Sequence, residues 1–364
     1  MKMIAIIAAL LFGTLANAAP VVASELHIYN WSDYIAPDTI PNFTKETGVA
    51  VTYDVYDGNE VLEAKLLAGH SGYDVVVPTA MPYMARQITA GAYRKLDKSK
   101  LPNLKNLDPT ILALVAEADP GNQYGVPYMW SVTGIGYNPA LVAKALGPNA
   151  PTDSLALLFD PANAEKLASC GISVLDTPDE VFPAAFSYLG IDPKSRDPAD
   201  LDKAVAMMAK IRPYIRKFHS SEYINDLANG DICVALGYSG DVIQARNRAA
   251  EAKNGVQIVF RVPREGAMMA VDMMGIPKDA PDPDNALTYI NYILRPEVAA
   301  AISNAVSYPN PNLAATPFVK QEIRNDPGIY PPEAVRKRLH VDAPAPREYE
   351  RARTRAWNRV KAGG

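Results

Sequence analysis

A two-lobed α/β fold is what this sequence predicts, and three observations predict it. Strand-like and helix-like patterns alternate through residues 25–91, and the alternation restarts between residues 151 and 248. A long extended stretch, residues 123–139, separates the two runs and reads as a crossover. Removal of an N-terminal export signal leaves about 345 residues, too many for one ordinary core. The expected division is 25–130 plus 251–321 for the first lobe and 131–250 plus 322–364 for the second.

The elements justify themselves in order. Glu25-Leu-His-Ile-Tyr29 alternates like a strand, and a helical pattern runs from about Asp38 to Thr47, closed by Gly48. Between them lies Asn30-Trp31-Ser32-Asp33-Tyr34. An indole, a hydroxyl, a carboxylate and a phenol thus meet where a strand ends, the edge at which open α/β folds bind ligands. Trp31 and Tyr34 read as aromatic walls and Asp33 as a partner for a cation. From spacing alone, core for Trp31 and a cap or turn for Asp33 stand as alternatives. Val49–Tyr56 reads as a strand, Asn59 as the cap of a helix ending at Gly69, and Tyr73–Val77 as a strand buried on both faces. Thr79 then falls at the same sheet edge as Trp31 if both strands share a sheet. A helix from Met84 to Ala90 stops at Gly91.

Gln123–Trp130 and Ser131–Pro139 form the crossover, and Gly134 and Gly136 within it mark a bend or a close backbone approach. Ile172–Leu175 is a strand leading into Asp176-Thr-Pro-Asp-Glu-Val181, a helix start with acids in its first turn. Leu201–Lys217 reads as helix, Tyr223–Gly230 as a short helix, and Asp231–Leu236 as a buried strand. That strand ends in Gly237-Tyr238-Ser239-Gly240-Asp241, with a helix from Val242. Val256–Val262 and Met268–Gly275 are two further strands, the second carrying Asp272 among apolar neighbours. Helices follow at Ala286–Leu294 and Glu297–Ser303, and a basic helix at Glu348–Lys361 whose charges are expected on one solvated face.

Residues 1–18 read as a secretory signal: Lys2 is the charged region, Met3–Phe12 the apolar run, and Ala16-Asn17-Ala18 the cleavage site. No cysteine lies beside that site, so no lipid anchor is expected, and no later segment has eighteen uncharged apolar residues. Without Lys2 the chain has 35 basic and 40 acidic residues, no electrostatic footprint for nucleic acid. In an exported chain the lone pair Cys170 and Cys233 points to a disulfide rather than a metal site, with two buried thiols as the alternative. The loop it would close, about 64 residues, corresponds to roughly 4 kcal/mol in the chain-entropy model.

Catalytic constellations are missing. His27, His70, His219 and His340 show no metal-ligand spacing. Gly237-Tyr-Ser-Gly240 is not a nucleophile elbow, Gly134-Ile-Gly136 lacks the third glycine of a dinucleotide loop, and no phosphate-binding loop occurs. Neither an enzyme nor a cofactor is expected. What is present is a set of aromatics and acids at element ends: Trp31, Tyr34, Tyr238 and Tyr308 with Asp33, Glu180, Asp241 and Asp272. Singly, Asp241 reads equally as a cap, Asp272 as the partner of an arginine, and Tyr308 as surface. Together they form a box for an elongated dication.

Several stretches carry a resemblance: residues 26–39, Pro127-Tyr-Met-Trp130, Thr133-Gly-Ile-Gly-Tyr-Asn138, Phe218-His-Ser-Ser221, residues 223–235, Glu265-Gly-Ala-Met268 and Asn325-Asp-Pro-Gly-Ile-Tyr-Pro-Pro332. Over nearly the whole mature chain the sequence resembles the periplasmic polyamine-binding proteins of bacterial ABC importers, most closely the putrescine-type branch. The resemblance implies a type II periplasmic binding protein fold, two α/β lobes about a hinge that close on a ligand. It implies a soluble periplasmic monomer that takes putrescine or spermidine and docks transiently to a membrane permease. Trp31, Tyr34, Tyr238 and Tyr308 match its aromatic positions, Ser32, Asp33, Thr79, Glu180, Asp241 and Asp272 its polar ones, and Cys170 and Cys233 its disulfide. Tyr238 stands where tryptophan is common, Ala270 where a ring packs along the ligand, and Thr79 where serine is usual, while Met81–Met84 is one residue longer. These departures bear on which polyamine is taken. A receptor for another organic amine, and a sensor subunit docking to a signalling protein, are the competing readings.

Overall fold

The computed structural model describes residues 25–363. The expected signal at 1–18 lies outside the described residues. The chain runs β1 (Glu25–Trp31), α1 (Thr39–Thr47), β2 (Ala50–Tyr56), α2 (Asn59–Ala68), β3 (Val75–Val76), α3 (Ala85–Thr89) and α4 (Pro109–Val115). Then come β4 (Gly125–Tyr137), α5 (Pro139–Leu146), α6 (Ala156–Phe159), α7 (Pro161–Leu167), β5 (Ile172–Val174), α8 (Pro178–Tyr188), α9 (Pro198–Ile211) and β6 (Ile215–Phe218). After these stand α10 (Tyr223–Asn229), β7 (Val234–Tyr238), α11 (Ser239–Ala252), β8 (Val259–Arg261), β9 (Ala267–Gly275), α12 (Pro283–Ile293) and α13 (Pro296–Val306). The tail holds α14 (Gln321–Arg324), α15 (Glu333–Arg336), β10 (Leu339–His340) and α16 (Arg347–Ala362).

The strand order is β2-β1-β3-β9-β4-β7-β5-β6, with β8 on β4 and β10 on β9. β1 lies parallel to both β2 and β3, as a βαβ alternation demands. β4 is the long crossover. Its first half pairs antiparallel with β9 up to Val132 opposite Met269, and its second half pairs with β7 from Thr133 opposite Tyr238. The chain therefore passes from one sheet half to the other between Val132 and Thr133, and every β4 residue is buried. Gly134 and Gly136 are close approaches: a Cβ at 134 would sit 2.6 Å from the Arg261 carbonyl oxygen, and one at 136 would sit 2.6 Å from Val242.

One apolar cluster, built on Ile135, Phe182, Leu236 and Val242, fills the second half. Two clusters, led by Ile28 and Phe43 on one face and by Tyr29, Leu62 and Met273 on the other, sandwich the first. At about 25 cal/mol per Å² of apolar surface, such burial dominates stability. Gly48 ends α1 with φ 74°, a left-handed cap that glycine adopts without strain.

Three expectations are corrected. The helix expected to reach Lys217 ends at Ile211, and Ile215–Phe218 is β6. Pro213 lacks an N–H and cannot continue the helix, while Ile215 and Phe218 suit a strand. Asn59 does not cap α2: Gly58 holds that position, and the Asn59 side chain bonds Thr79 instead. The last helix is not charged on a purely solvated face, because Arg353 is only 3% exposed and paired inside. Cys170 and Cys233 form the disulfide, with Cα atoms 5.4 Å apart. No helix of the described residues is long and apolar enough to cross a membrane.

Candidate functional site

Strand ends from both sheet halves converge on one cavity, about 640 Å³ of atom-free space, part of it open to solvent. Nine of the ten site residues expected from sequence line it: Trp31, Ser32, Tyr34 and Thr79 from the first half, Glu180, Tyr238 and Asp241 from the second, and Asp272 and Tyr308 between. Asp33 is not among the lining residues. Its Oδ1 accepts from Arg248 Nη2 at 2.6 Å, and its carbonyl oxygen accepts from Gln244 Nε2 at 3.3 Å, so it joins the β1–α1 turn to α11.

Asp272 sits on β9 and bridges to Thr79 across an isolated β-bridge. Its Oδ1 accepts from Thr79 Oγ1 at 2.7 Å and its Oδ2 from the Tyr34 hydroxyl at 2.8 Å. Thr79 Oγ1 in turn accepts from Asn59 Nδ2 at 3.0 Å, which fixes the hydroxyl proton toward Asp272. Among the described residues no arginine pairs with Asp272. Burial pushes its carboxyl up to about 6 against the pull of these two donors.

Asp241 lies in the first turn of α11 and accepts from Tyr308 at 2.6 Å through Oδ1 and from Tyr223 at 2.7 Å through Oδ2. It is a hub rather than a cap, and burial pushes it up to about 7. Tyr308 is 4% exposed, not surface. Its ring lies against Gly240, where a Cβ would collide with it, and meets Tyr34 edge-on with centroids 4.7 Å apart. Glu180, in the first turn of α8, accepts from Thr133 Oγ1 at 2.5 Å, and burial raises it to about 8. Trp31 combines both roles left open for it: Nε1 donates to the Val77 carbonyl at 2.9 Å, the ring packs on Tyr56 at 4.7 Å, and one face remains at the cavity.

Sequence reasoning missed further lining residues. Asp57 accepts from Ser32 Oγ at 2.5 Å and stands just past the end of β2, so the strand-edge argument applied to Trp31 would have found it. Asp179 adjoins Glu180 and pairs with Arg353, 174 positions away in sequence, for which no local signal exists. Tyr83, Thr177 and Ser220 also line the cavity. The wide turn Ala80–Met84 brings in Met81, Pro82 and Tyr83. Ala270 and Met268 line it from β9, on the same strand face as Asp272.

Five carboxylates therefore line the cavity: Asp57, Asp179, Glu180, Asp241 and Asp272. No lysine, arginine or histidine is among the described lining residues. Among the described residues no group of three or more His, Cys, Asp or Glu is placed to hold a metal ion. The arrangement suits an organic cation with an apolar body.

Residues 39–331 match the family described as bacterial extracellular solute-binding protein. The chain is 54% identical over 359 residues to the putrescine-binding periplasmic protein SpuD of Pseudomonas aeruginosa, covering 98% of each. It is 57% identical over 339 residues to the putrescine-binding periplasmic protein PotF of Escherichia coli, covering 93% of this chain and 91% of the relative. Among solved structures, the spermidine/putrescine ABC transporter substrate-binding protein PotD of Streptococcus pneumoniae matches with a TM-score of 0.75 at 28% identity, covering 94% of this chain and 99% of the other. The chain belongs to the bacterial extracellular solute-binding protein family.

Proposed function

We propose that this protein is a periplasmic receptor that captures a protonated linear polyamine between its lobes and delivers it to an ABC permease. The observation that carries the reading is a cavity lined by five carboxylates, of which Asp179 alone is paired with an arginine, by aromatic rings, and by no lysine, arginine or histidine among the described lining residues. Primary amines with a pKa of about 10.4 are protonated at neutral pH. Each ammonium hydrogen-bonded to a carboxylate contributes about 1.5–3 kcal/mol. A four-carbon chain adds about 3 kcal/mol on full burial. An ammonium over the Trp31 or Tyr308 ring adds about 0.5–2 kcal/mol. Against the cost of association and closure, this supports micromolar or tighter binding, about −8 kcal/mol at 1 μM.

Asp272 and Asp241 serve one end and Glu180 the other, with Trp31, Tyr34, Tyr238 and Tyr308 along the length. Ser32 and Thr79 orient the acids through their hydroxyls. Asp33 contributes through its pair with Arg248 at the cleft rim. The lobes are residues 25–130 plus 251–321 and residues 131–250 plus 322–364, hinged about β4 and β9. Ala315 and Val319 pack with the apolar cluster that fills the second sheet half, so the boundary near residue 321 is drawn through a contact surface. The reading includes no catalytic step, a monomer, export by residues 1–18, and transient permease docking. One observation favours a broader ligand range: Ala270, a small side chain, lines the cavity on the strand face of Asp272, which suits a longer or bulkier amine.

A thermal-shift panel of diamines, triamines, amino acids and sugars tests the reading. A ligand that binds only the folded protein stabilises it by about 2.7 kcal/mol at 100 times its dissociation constant. Stabilisation by amino acids or sugars and not by polyamines overturns it.

A further inference from the structure

The C-terminal helix α16 brings two charged residues against the cleft from outside the cavity. Arg353, one of the most buried charges in the protein, reaches three carboxylates. Nη2 contacts Asp179 Oδ1 and lies 2.5 Å from Glu350 Oε2, and Nη1 lies 3.6 Å from Asp342 Oδ2. Asp179 occupies the first turn of α8 beside Glu180, so a guanidinium on Asp179 holds the turn that presents Glu180 to the cavity. The same Glu350 Oε2 also lies 3.5 Å from Arg86 Nη1 on α3, which belongs to the opposite sheet half, so one oxygen stands between the two guanidinium groups.

Arg86 is held rigidly on its own side. Glu63 of α2 grips it bidentately at 2.6 Å and 2.6 Å, and its guanidinium stacks over the Tyr83 ring at 4.2 Å. The Tyr83 hydroxyl donates to Glu60 at 2.8 Å, and Tyr83 lines the cavity opposite Asp179. A charged line thus runs Glu63–Arg86–Glu350–Arg353–Asp179, from the first lobe, through α16, to the cavity wall. Its contacts divide cleanly. Glu63–Arg86 lies within one lobe and Glu350–Arg353–Asp179 within the other, and Arg86–Glu350 alone in this line crosses between them. A rotation about the crossing point at Val132 and Thr133 would break that pair and no other contact of the line, although Asp33–Arg248 and Tyr308–Asp241 also join the two lobes. Buried ion pairs add little net stability compared with apolar packing, so their effect falls mainly on which arrangement is populated.

We propose that α16 is a clasp for the cleft: Arg353 anchors the first turn of α8 through Asp179, while Glu350 holds Arg86 of the opposite lobe only when the cleft is shut. Because the crossing pair exists in one of two states, it biases ligand affinity without touching ligand. The inference rests on the closing-cleft reading above but not on the identity of the ligand.

The test is a double-mutant cycle of Arg86→Met and Glu350→Gln, neither of which lines the cavity. Titration calorimetry and stopped flow with 1,4-diaminobutane are expected to show each single variant weakened about three- to thirtyfold, mainly through faster dissociation. The double variant is expected to be no weaker than the weaker single, and Arg86→Lys to recover part of the loss. A purely structural pair would lower the melting temperature of free and bound protein alike and leave the dissociation constant unchanged, which overturns the clasp, as do additive losses. Arg353→Lys is the milder probe of the anchor, since a full deletion leaves Asp179 buried without a partner. It is expected to weaken binding while α16 stays protected from hydrogen exchange, and unchanged affinity overturns the anchoring role. Small-angle scattering separates this inference from the polyamine reading. If 1,4-diaminobutane fails to bind the wild type, the polyamine reading falls, and the clasp is judged on the free proteins: a larger radius of gyration in the variants supports it, and equal radii overturn it.

Discussion

Replacing Asp272 by asparagine should move stability and affinity in opposite directions. Asp272 is 6% exposed, and in the empty cavity its charge is met only by the hydroxyls of Thr79 and Tyr34. Burial lifts its carboxyl from the ordinary 3.8 to about 6. A carboxyl raised in the folded state stabilises fully below the unfolded value, and that contribution is lost as pH rises through the folded value. At pH 7.5 the ionised group therefore costs the empty protein on the order of 3 kcal/mol, an upper figure from about two units at 1.36 kcal/mol each. Asparagine removes the charge and keeps one acceptor oxygen, so part of that cost is recovered. A net gain of about 1–2 kcal/mol corresponds to a rise of roughly 2–4 °C in melting temperature. The same change deletes one ammonium–carboxylate bond, about 1.5–3 kcal/mol, or ten- to a hundredfold in affinity. Differential scanning calorimetry on the ligand-free protein and titration with 1,4-diaminobutane at pH 7.5 measure the two. Unchanged affinity removes Asp272 from the site. A lower melting temperature shows that its charge is needed by Thr79 and Tyr34 rather than held for a ligand.

The pH dependence follows from Glu180 at about 8 and Asp241 at about 7, both raised by burial. The empty protein should lose stability as pH rises through those values, while affinity for a diamine increases from pH 6 to 8; calorimetry in two buffers of different ionisation heat should show net proton release near pH 7, and a flat affinity without release refutes this. Ala270→Phe should shift selectivity toward putrescine over spermidine by up to about 1–3 kcal/mol, because a ring would fill space beside Asp272 that a longer amine uses. If Met268 or Met81 already occupies that space, the variant weakens both amines and the wild type prefers putrescine. Opening the disulfide with Cys170→Ser and Cys233→Ser should lower stability by up to about 4 kcal/mol and leave affinity within about twofold, since the bridge joins the turn after α7 to the residue before β7 and neither cysteine lines the cavity. A large loss of affinity at unchanged stability would show that the bridge shapes the site.

Most strands and helices were legible because their causes are local. Alternation, helical spacing, Gly48 and Gly230 as stops, and acids at the start of α8 each act within a turn or two of chain. The parallel start and the long crossover followed from buried apolar runs and from strand and helix patterns in sequence. Where the reading slipped, at Pro213 and Asn59, two local preferences competed, and a proline or a tertiary hydrogen bond decided.

The site divides along the same line. Strand-end aromatics and acids were visible because ligand edges in α/β folds are strand ends, and nine of ten such residues meet in one cavity. The sequence by itself determined the type of each group: a carboxyl, a phenol or an indole at the end of a given element. Only the tertiary structure decided what each group faces. Asp33 turns to Arg248 of α11, and Asp179 turns to Arg353 from a helix that reads as solvated when taken alone. Those pairings span 215 and 174 positions, and hydrogen bonds and ion pairs depend on distance in space, not along the chain. The charge balance of the cavity, five carboxylates of which only Asp179 meets an arginine, is for the same reason a property of the fold and not of composition.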